Sequence, residues 1–398
     1  MPRVLMRAAI VATATATAAV LLAATGNLAA GAVPATQDRA PTPGRWTQAT
    51  LGNLQNFTDI GLVRGSGGVL HVVWTDGSVG KTSIFDTPIK ADGTVEKTVP
   101  ITQHLNQATF PDATISDGAL HAFWNQISNA GSRFSGTAVA TWPAGGQHWD
   151  PITGVSPAEN ENWDFGVAAA TGADGKPWVA FIDGGGFEVS HFGHAKRQIH
   201  RSGCCAYNAG IGADSKTSAA WLTWFSNVTN HFGVYAQQLA QNGSQIGGPI
   251  RLPGSNVGND AIPANQRTTA TGLGHGLPGV YVSYLNGWPV TRKVELIRLG
   301  AKKPVTISTL TGTQGSTLAA DPFGRLWVAW YRGTTIFARR ATSGATRFGS
   351  TVKLSPPKGT TSLWKIYINA QAKRLDVLAL ITLRGKIAYW ATQLLPPK

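Results

Sequence analysis

The chain has 398 residues, of which 42% are hydrophobic and 14% charged, and its formal net charge is +14 at pH 7. This length suffices for one large core or two domains, and two adjacent cysteines exclude a disulfide framework as the main source of stability. The basic excess favours an acidic partner such as anionic polysaccharide, although it also serves solubility alone. Because no run of five or more cations occurs, nucleic acid is not the expected partner.

The first 32 residues have the pattern of a secretory signal peptide. Arg3 and Arg7 precede an apolar stretch over residues 8–25, and Ala30-Gly31-Ala32 offers a small-residue cleavage site. The alternative is an uncleaved anchor, but four threonines interrupt the stretch. We expect cleavage after residue 32, a flexible proline-rich linker over residues 33–44, and a mature protein without a membrane span that is secreted, extracellular or associated with the cell wall.

One five-residue pattern recurs along the rest of the chain and usually ends on an aromatic residue. Leu70–Trp74 (LHVVW) and Leu326–Trp330 (LWVAW) are two copies. The seven copies end at positions 74, 124, 181, 224, 284, 330 and 379, so successive copies lie 43 to 60 residues apart. Turn residues such as Asp321-Pro-Phe-Gly324 precede several copies, which marks the start of a strand.

Three further strands accompany most copies of the pattern. A small-residue strand precedes it, a hairpin partner follows it, and an outer strand, often opened by proline, comes last. Four strands per repeat at this period are typical of a β-propeller blade. The seventh repeat lacks an outer strand, and the segment Trp46–Leu51 is a spare strand that would complete it. Residues 45–398 are therefore predicted to form one all-β, seven-bladed propeller closed by its N-terminal strand.

Other all-β architectures agree less well with this repeat. A parallel β-helix needs a shorter period, and a pair of β-sandwiches gives no reason for seven copies. A ring of six or eight blades is the main alternative within the propeller class. We expect the protein to be a monomer.

The recurring aromatic residues are predicted to pack between blades. They are Trp74, Trp124, Phe181, Trp224, Tyr284 and Trp330, and all occupy one position of the repeat. Recurrence at one position indicates a structural role, so these residues are not candidates for ligand contact.

Candidate ligand-binding residues lie just after the packing aromatics and at the entry to the innermost strands. In propellers, by analogy of fold, both sets of positions open on one face of the ring. Carboxylates, amides, arginines and exposed aromatics suit sugar hydroxyls and the apolar faces of sugar rings. The alternative is that Asp and Asn are ordinary turn residues. The candidates are Asp76, Asp112, Trp163, Asp164, Asp183, Tyr207, Asn208, Arg267, Arg332 and Trp364, with Asp59 at an equivalent position.

The segment from Asp183 to Asn208 is the least repetitive part of the chain. It contains three histidines and then two adjacent cysteines, residue types that zinc prefers as ligands. Their spacing matches no established metal site, so His191, His194 and His200 are weak metal candidates, and no metal or cofactor is expected.

A vicinal disulfide between Cys204 and Cys205 is the stronger expectation for this segment in an oxidising compartment. Adjacent Cα atoms lie about 3.8 Å apart, below the relaxed disulfide range of about 4.4–6.8 Å. The resulting ring would be strained, stiff and apolar on its outer face. It could therefore form a rigid platform for a sugar or a small apolar group.

Catalytic residues are harder to assign. Acid/base hydrolysis needs paired carboxylates, for which Glu159, Glu161 and Glu188 are available without an assigning motif. A lyase acting on uronate polymers would want a Tyr or His base and a cation to neutralise the carboxylate. Such residue types are present at Tyr207, His200, Arg201 and Arg267.

Two strand phrases, Gly68–Trp74 (GVLHVVW) and Gly324–Trp330 (GRLWVAW), resemble those of secreted bacterial sialidase-like (BNR-type) β-propellers. That group includes sialidases, uronate lyases and non-catalytic sugar binders. The sequence lacks the S-x-D-x-G-x-x-W box and the Arg-Ile-Pro segment of true sialidases, which also have six blades. The resemblance therefore implies an architecture, and no catalytic residue transfers from it.

Three functions are compatible with these observations. The leading hypothesis is a secreted, lectin-like propeller that binds an anionic or wall-associated glycan. The alternatives are a carbohydrate-active enzyme, either a glycoside hydrolase or a uronate lyase with its site in the central mouth, and an extracellular protein-interaction scaffold.

Overall fold

The computed structural model describes most of the chain from residue 44 onward. For residues 66, 127, 156, 157, 183, 197–200 and 206–208 only the backbone is described. The described ranges are 44–54, 59–77, 81–102, 105, 107–127, 136–157, 166–183, 186–194, 197–200, 206–226, 228, 230–255, 268–287 and 289–395. The predicted signal peptide lies outside these ranges, as does the linker except for Gly44.

The described residues form β-strands joined by turns, with one short 3-10 turn at Ser66–Gly68. Among them, no helix is long and apolar enough to cross a membrane. The strands in chain order are β1 (Thr47–Gln48), β2 (Gly61–Arg64), β3 (Leu70–Asp76), β4 (Ser83–Ile89), β5 (Val99–Pro100), β6 (Gln107–Ser116), β7 (Ala119–Ile127), β8 (Gly136–Trp142), β9 (Thr153–Pro157), β10 (Val167–Thr171), β11 (Pro177–Asp183), β12 (Gly186–His191), β13 (Arg197–His200), β14 (Ala206–Ala213), β15 (Ala220–Ser226), β16 (Gly233–Leu239), β17 (Gln245–Arg251), β18 (Ala270–Gly272), β19 (Val280–Asn286), β20 (Lys293–Arg298), β21 (Val305–Ser308), β22 (Gly315–Ala320), β23 (Arg325–Arg332), β24 (Thr335–Ser343), β25 (Val352–Leu354), β26 (Thr360–Ala370), β27 (Leu375–Leu383) and β28 (Lys386–Leu394).

These strands form seven four-stranded antiparallel sheets, so the prediction of a seven-bladed propeller is confirmed. Blade 1 is β2–β5, and blades 2 to 6 follow in groups of four along the chain. Blade 7 has the order β26-β27-β28-β1, with Thr47 opposite Ala391. The N-terminal strand therefore supplies the missing outer strand, as predicted. The first strands of successive blades contact one another in sequence order, and β26 contacts β2 to close the ring.

The recurring aromatics are buried between blades, as expected. Trp74, Trp124 and Trp330 are each at most 1% exposed. Trp224, in blade 4, packs in one cluster with Phe187 of blade 3, and their ring centroids are 5.2 Å apart. Each such ring fills the wedge between two twisted sheets, because small inner-strand residues such as Ala209 leave room for it.

The ring has two faces that differ in their turns. We call upper the face with the turns between second and third strands and the connections between blades, and lower the opposite face. On the lower face, aspartates accept backbone N–H bonds within their turns, as Asp321 does from Phe323 (2.9 Å). Asp214 also reaches the neighbouring blade and accepts the Gly279 N–H at 2.6 Å. These turn aspartates are therefore structural.

Ring closure provides the first prediction. The Ala49 N–H donates to the Tyr389 carbonyl at 2.8 Å, extending the pairing of β1 with blade 7. Ala49→Pro removes this donor, and we expect a loss of about 1–3 kcal/mol in unfolding free energy, measured by urea denaturation. Gln48→Pro is the matched control, because alternation along an edge strand turns the Gln48 N–H away from β28. Equal destabilisation by both substitutions would contradict this account.

Candidate ligand-binding site

A central cavity of about 160 Å³ lies on the axis of the propeller. It is lined by residues on or next to the innermost strands of all seven blades, among them Asp112 in blade 2 and Tyr367 in blade 7. Of the predicted entry positions that the structure describes, Asp112 lines this cavity, whereas Asp59 and Trp364 are not among its lining residues.

A β-bulge positions Asp112 on the wall of this cavity. The register of β6 against β7 shifts between Thr109 and Asp112, and Phe110 has a φ of 52°. Such a left-handed conformation is unusual for a bulky residue and is a common device for redirecting a side chain near a site. The Asp112 carboxylate accepts the N–H groups of Ala113 (2.8 Å) and Ala169 (2.7 Å). Asp112 therefore links blade 2 to blade 3 as well as lining the cavity.

A buried ionic cluster lies where blades 7 and 1 meet. Asp59 Oδ1 accepts the Tyr367 hydroxyl at 2.5 Å and lies 3.5 Å from Lys365 Nζ. Asp59 and Lys365 are only 3% and 2% exposed, so neither charge is screened by water. A second bulge, between Leu363 and Lys365, interrupts the pairing of β26 with β27 next to this cluster. The carboxylate, ammonium and phenol are thus held together beside the central cavity.

Trp364 precedes Lys365 in β26 and presents an exposed aromatic ring next to this cluster. Its side chain is 43% exposed, yet its indole N–H donates to Thr382 Oγ1 at 2.9 Å. Its carbonyl accepts the Tyr331 hydroxyl of blade 6 at 2.6 Å, and burial raises the pKa of that phenol. The neighbouring Arg332 is exposed at the upper end of β23. Trp364 is therefore a fixed, solvent-facing ring with a guanidinium on the adjacent blade.

The remaining candidates are only partly described. Asp76 and Asp183 end the second strands of blades 1 and 3, which places both at the upper face, as predicted. Tyr207 and Asn208 lie in β14 beside another bulge, with their side chains outside the described part. Trp163, Asp164, Arg267, Cys204 and Cys205 also lie outside the described residues, so the vicinal disulfide remains a prediction.

The histidine candidates are on the lower face where they are described. His191 is 1% exposed, with Nδ1 2.6 Å from the Gln241 carbonyl and Nε2 3.2 Å from the Asp174 carboxylate. Its ring stacks between Trp178 (centroids 4.2 Å apart) and the exposed ring of His194 (4.9 Å). Both nitrogens of His191 are thus engaged, Nδ1 with blade 4 and Nε2 with a turn of its own blade 3. Among the described residues no cluster has the composition of a metal site, and the His200 side chain lies outside them.

Sequence reasoning missed two features of the site. It named Asp59 and Trp364 but not Lys365 or Tyr367, which lie within the same innermost strand. A lysine followed two residues later by a tyrosine in a mainly apolar strand (WKIYI) was the available signal. It also missed a larger cavity of about 610 Å³ on the lower face between blades 7 and 1, lined by Asp92, Asp376 and Gln393 among others.

Comparisons with known proteins agree with the architecture. No protein-family model matches the sequence, and no curated protein shows significant sequence similarity to it. The solved structure of polysaccharide lyase Uly1 is 12% identical with a TM-score of 0.50, covering 92% of this chain and 95% of that one. An ancestral GH74 enzyme is 10% identical with a TM-score of 0.52, covering 88% and 49%. A mutant Trypanosoma rangeli sialidase displaying trans-sialidase activity is 10% identical with a TM-score of 0.48, covering 89% and 60%.

These likenesses define the class of protein through its fold. The chain is a seven-bladed β-propeller whose architecture is similar to that of glycan-active propeller enzymes. At identities of 10–12% the lyase and GH74 structures show the fold alone, so they support the propeller architecture and not a particular family.

The ionic cluster gives a prediction for stability. Asp59→Asn removes the carboxylate charge 3.5 Å from the buried Lys365 ammonium, and we expect a loss of about 3–5 kcal/mol in unfolding free energy. The double variant Asp59→Asn/Lys365→Met removes both charges and should be more stable than the single variant. Urea denaturation of the four proteins in this cycle measures the coupling, and purely additive effects would argue against a coupled pair.

The Asp174–His191 contact predicts a pH dependence. Burial raises the pKa of Asp174, but the Lys176 N–H and the nearby His191 outweigh it and hold the pKa below its ordinary value of 3.8. A depressed folded-state pKa contributes stability above the unfolded value, and this is lost as the pH falls through the folded value. Asp174→Asn should therefore be less stable than the wild type at neutral pH, with the difference vanishing in strong acid. A pH-independent difference in thermal unfolding would contradict this.

Proposed function

We propose that this protein is a secreted, carbohydrate-binding propeller that holds an anionic glycan at the upper mouth of its central cavity. The exposed Trp364 ring is the observation that supports this best. An exposed indole fixed by its own hydrogen bond offers a flat apolar face at low entropic cost, which suits the face of a sugar ring.

The surroundings of Trp364 favour a negatively charged sugar. Arg332 is exposed on the adjacent blade, and guanidinium groups pair with carboxylates and sulfates in a bidentate manner. Asp112 and Asp59 are engaged within the protein, so they do not place a free carboxylate at the mouth. Proteins of similar fold include a polysaccharide lyase and an ancestral GH74 enzyme, so the architecture is compatible with glycan ligands.

A titration of wild-type protein with defined uronate and sulfated oligosaccharides tests this proposal. Trp364→Ala should weaken binding about tenfold, because the stacking surface is lost. Ile246→Ala is the control, since Ile246 is 46% exposed but lies on β17, the outer strand of blade 4. The proposal would be contradicted if the wild type bound none of the oligosaccharides, or if the two substitutions weakened binding equally.

One observation favours catalysis as the second candidate. The Tyr367 phenol lines the central cavity and is bonded to Asp59 beside Lys365, a set of groups suited to moving a proton. In a uronate lyase, a base takes the proton next to the carboxylate, and that C–H electron pair forms the double bond. The glycosidic C–O bond breaks as the leaving oxygen gains a proton.

The absorbance of new double bonds during incubation with uronate polymers distinguishes an enzyme from a binder. If the protein is a lyase, Tyr367→Phe should abolish this signal while leaving oligosaccharide binding within about twofold of wild type, because only a hydroxyl is removed. Absence of the signal in the wild type would leave the binding function as the sole proposal.

A further inference from the structure

The charge of this protein is divided unequally between its blades. Residues 268–395, which form blades 5 to 7, contain 17 lysines and arginines and three acids, a net charge of +14. Residues 33–267 contain 14 lysines and arginines and 17 acids, a net charge of −3. Almost the whole basic excess is therefore confined to three consecutive blades.

The three acids of blades 5 to 7 are all withdrawn from the surface. Glu295, Asp321 and Asp376 are 2%, 2% and 3% exposed. Asp321 is paired with Arg325 at 2.6 Å, and Asp376 accepts an N–H of Gln393 at 3.0 Å in addition to its pair with Arg64. By contrast, twelve of the cations in these blades are exposed. The surface of this sector therefore presents positive charge without any exposed carboxylate side chain.

On the lower face, six cations lie in turns and at strand ends of blades 5 to 7, and we call this set the basic stripe. Tyr281 lies opposite Arg298 in blade 5, and its hydroxyl donates to the Gly344 carbonyl of blade 6 at 3.4 Å. The Gly344 N–H in turn donates to the Gly324 carbonyl at 3.1 Å, next to Arg325. Arg325 then donates to the Ala372 carbonyl of blade 7 at 2.8 Å. The basic stripe consists of Arg298, Lys302, Arg325, Arg340, Arg347 and Lys373.

The centre of the stripe has more cations than its one carboxylate can neutralise. The Arg340 guanidinium lies over the Trp327 ring, 5.6 Å from its centroid. The Asp321 carboxylate is already paired with Arg325. Burial and the neighbouring Arg325 both lower the pKa of Arg340, which reflects this unfavourable proximity. An external anion would relieve the repulsion, and arginine pairs are well suited to sulfate, carboxylate or phosphate groups.

We propose that the basic stripe is a second binding surface, separate from the upper mouth, that holds an extended anionic polysaccharide across blades 5 to 7. The six cations lie on turns and strand ends, and none belongs to a helix or a projecting ribbon that could enter a DNA groove. Phe323 is the one exposed large aromatic ring in the turn beside Arg325, whereas single-stranded nucleic acid needs a series of stacking rings. A polysaccharide bearing sulfates or carboxylates needs neither feature.

The test compares two triple variants of the full chain on immobilised heparin and polygalacturonate across a salt series. Lys302→Gln/Arg347→Gln/Lys373→Gln removes three exposed cations from the basic stripe. Lys97→Gln/Lys176→Gln/Lys216→Gln removes three exposed cations from turns of the same face in blades 1, 3 and 4. We expect the first variant to bind about tenfold or more weakly with a reduced salt dependence, and the control to bind as wild type does.

Several outcomes would overturn the proposal. They are failure of the wild type to bind either polymer at low salt, equal losses in the two variants, or preferential binding of duplex or single-stranded DNA competitors over both polysaccharides. Trp364→Ala separates this surface from the upper mouth, since the loss of polymer retention caused by the stripe triple variant should be the same with and without it, as expected for two independent sites. Circular dichroism of both triple variants checks that the substituted surface turns have left the fold intact.

Discussion

The pairing of β1 with β28 is the contact on which the ring depends. Without it, blade 7 would have three strands with the outer edge of β28 unpaired, and its hydrophobic wedge against blade 1 would be incomplete. Residues of both chain ends meet in that wedge, where Ala49 and Leu54 pack in one cluster with Tyr389 and Ala391. The Asp59–Lys365–Tyr367 cluster and the Arg64–Asp376 pair also join blades 7 and 1. Ring closure therefore joins blade 7 to blade 1, and it assembles the candidate site where these two blades meet.

The two faces of a propeller differ because the alternating strand direction places the two kinds of turn on opposite faces. The lower turns here are occupied by aspartates bonded to backbone N–H groups and by contacts between blades, such as His191 with Gln241. At the upper face, bulges in β6 and β26 interrupt the regular pairing and redirect Asp112 and Lys365. Irregular pairing at the cavity wall is the arrangement expected where a rigid ring supports a binding site.

Much of the site could be located from sequence but not assembled from it. Asp59, Asp112 and Trp364 were identifiable because each lies where the repeat predicts the chain to enter an innermost strand. Lys365 was not, because a lysine in an apolar strand is ordinarily solvent-facing, and only the bulge and the approach of Asp59 explain its burial. The histidines of the segment after Asp183 were only weak metal candidates, and both ring nitrogens of His191 contact Asp174 and Gln241 on the lower face. The concentration of positive charge in blades 5 to 7 was also missed, because a search for consecutive basic residues cannot detect cations spread over three blades.

The sequence by itself determined the class of fold, the number of blades and the means of closure. Those features follow from local periodicity, turn residues and one missing strand, and all of these are properties of neighbouring residues. The tertiary structure alone decided which polar residues meet, because the partners in the candidate site are about 300 positions apart, as Asp59 and Tyr367 are. It also decided that twelve of the seventeen cations of blades 5 to 7 are exposed while their three acids are buried. Burial and long-range pairing depend on how seven sheets wrap around one axis, and that arrangement has no signature in any single repeat.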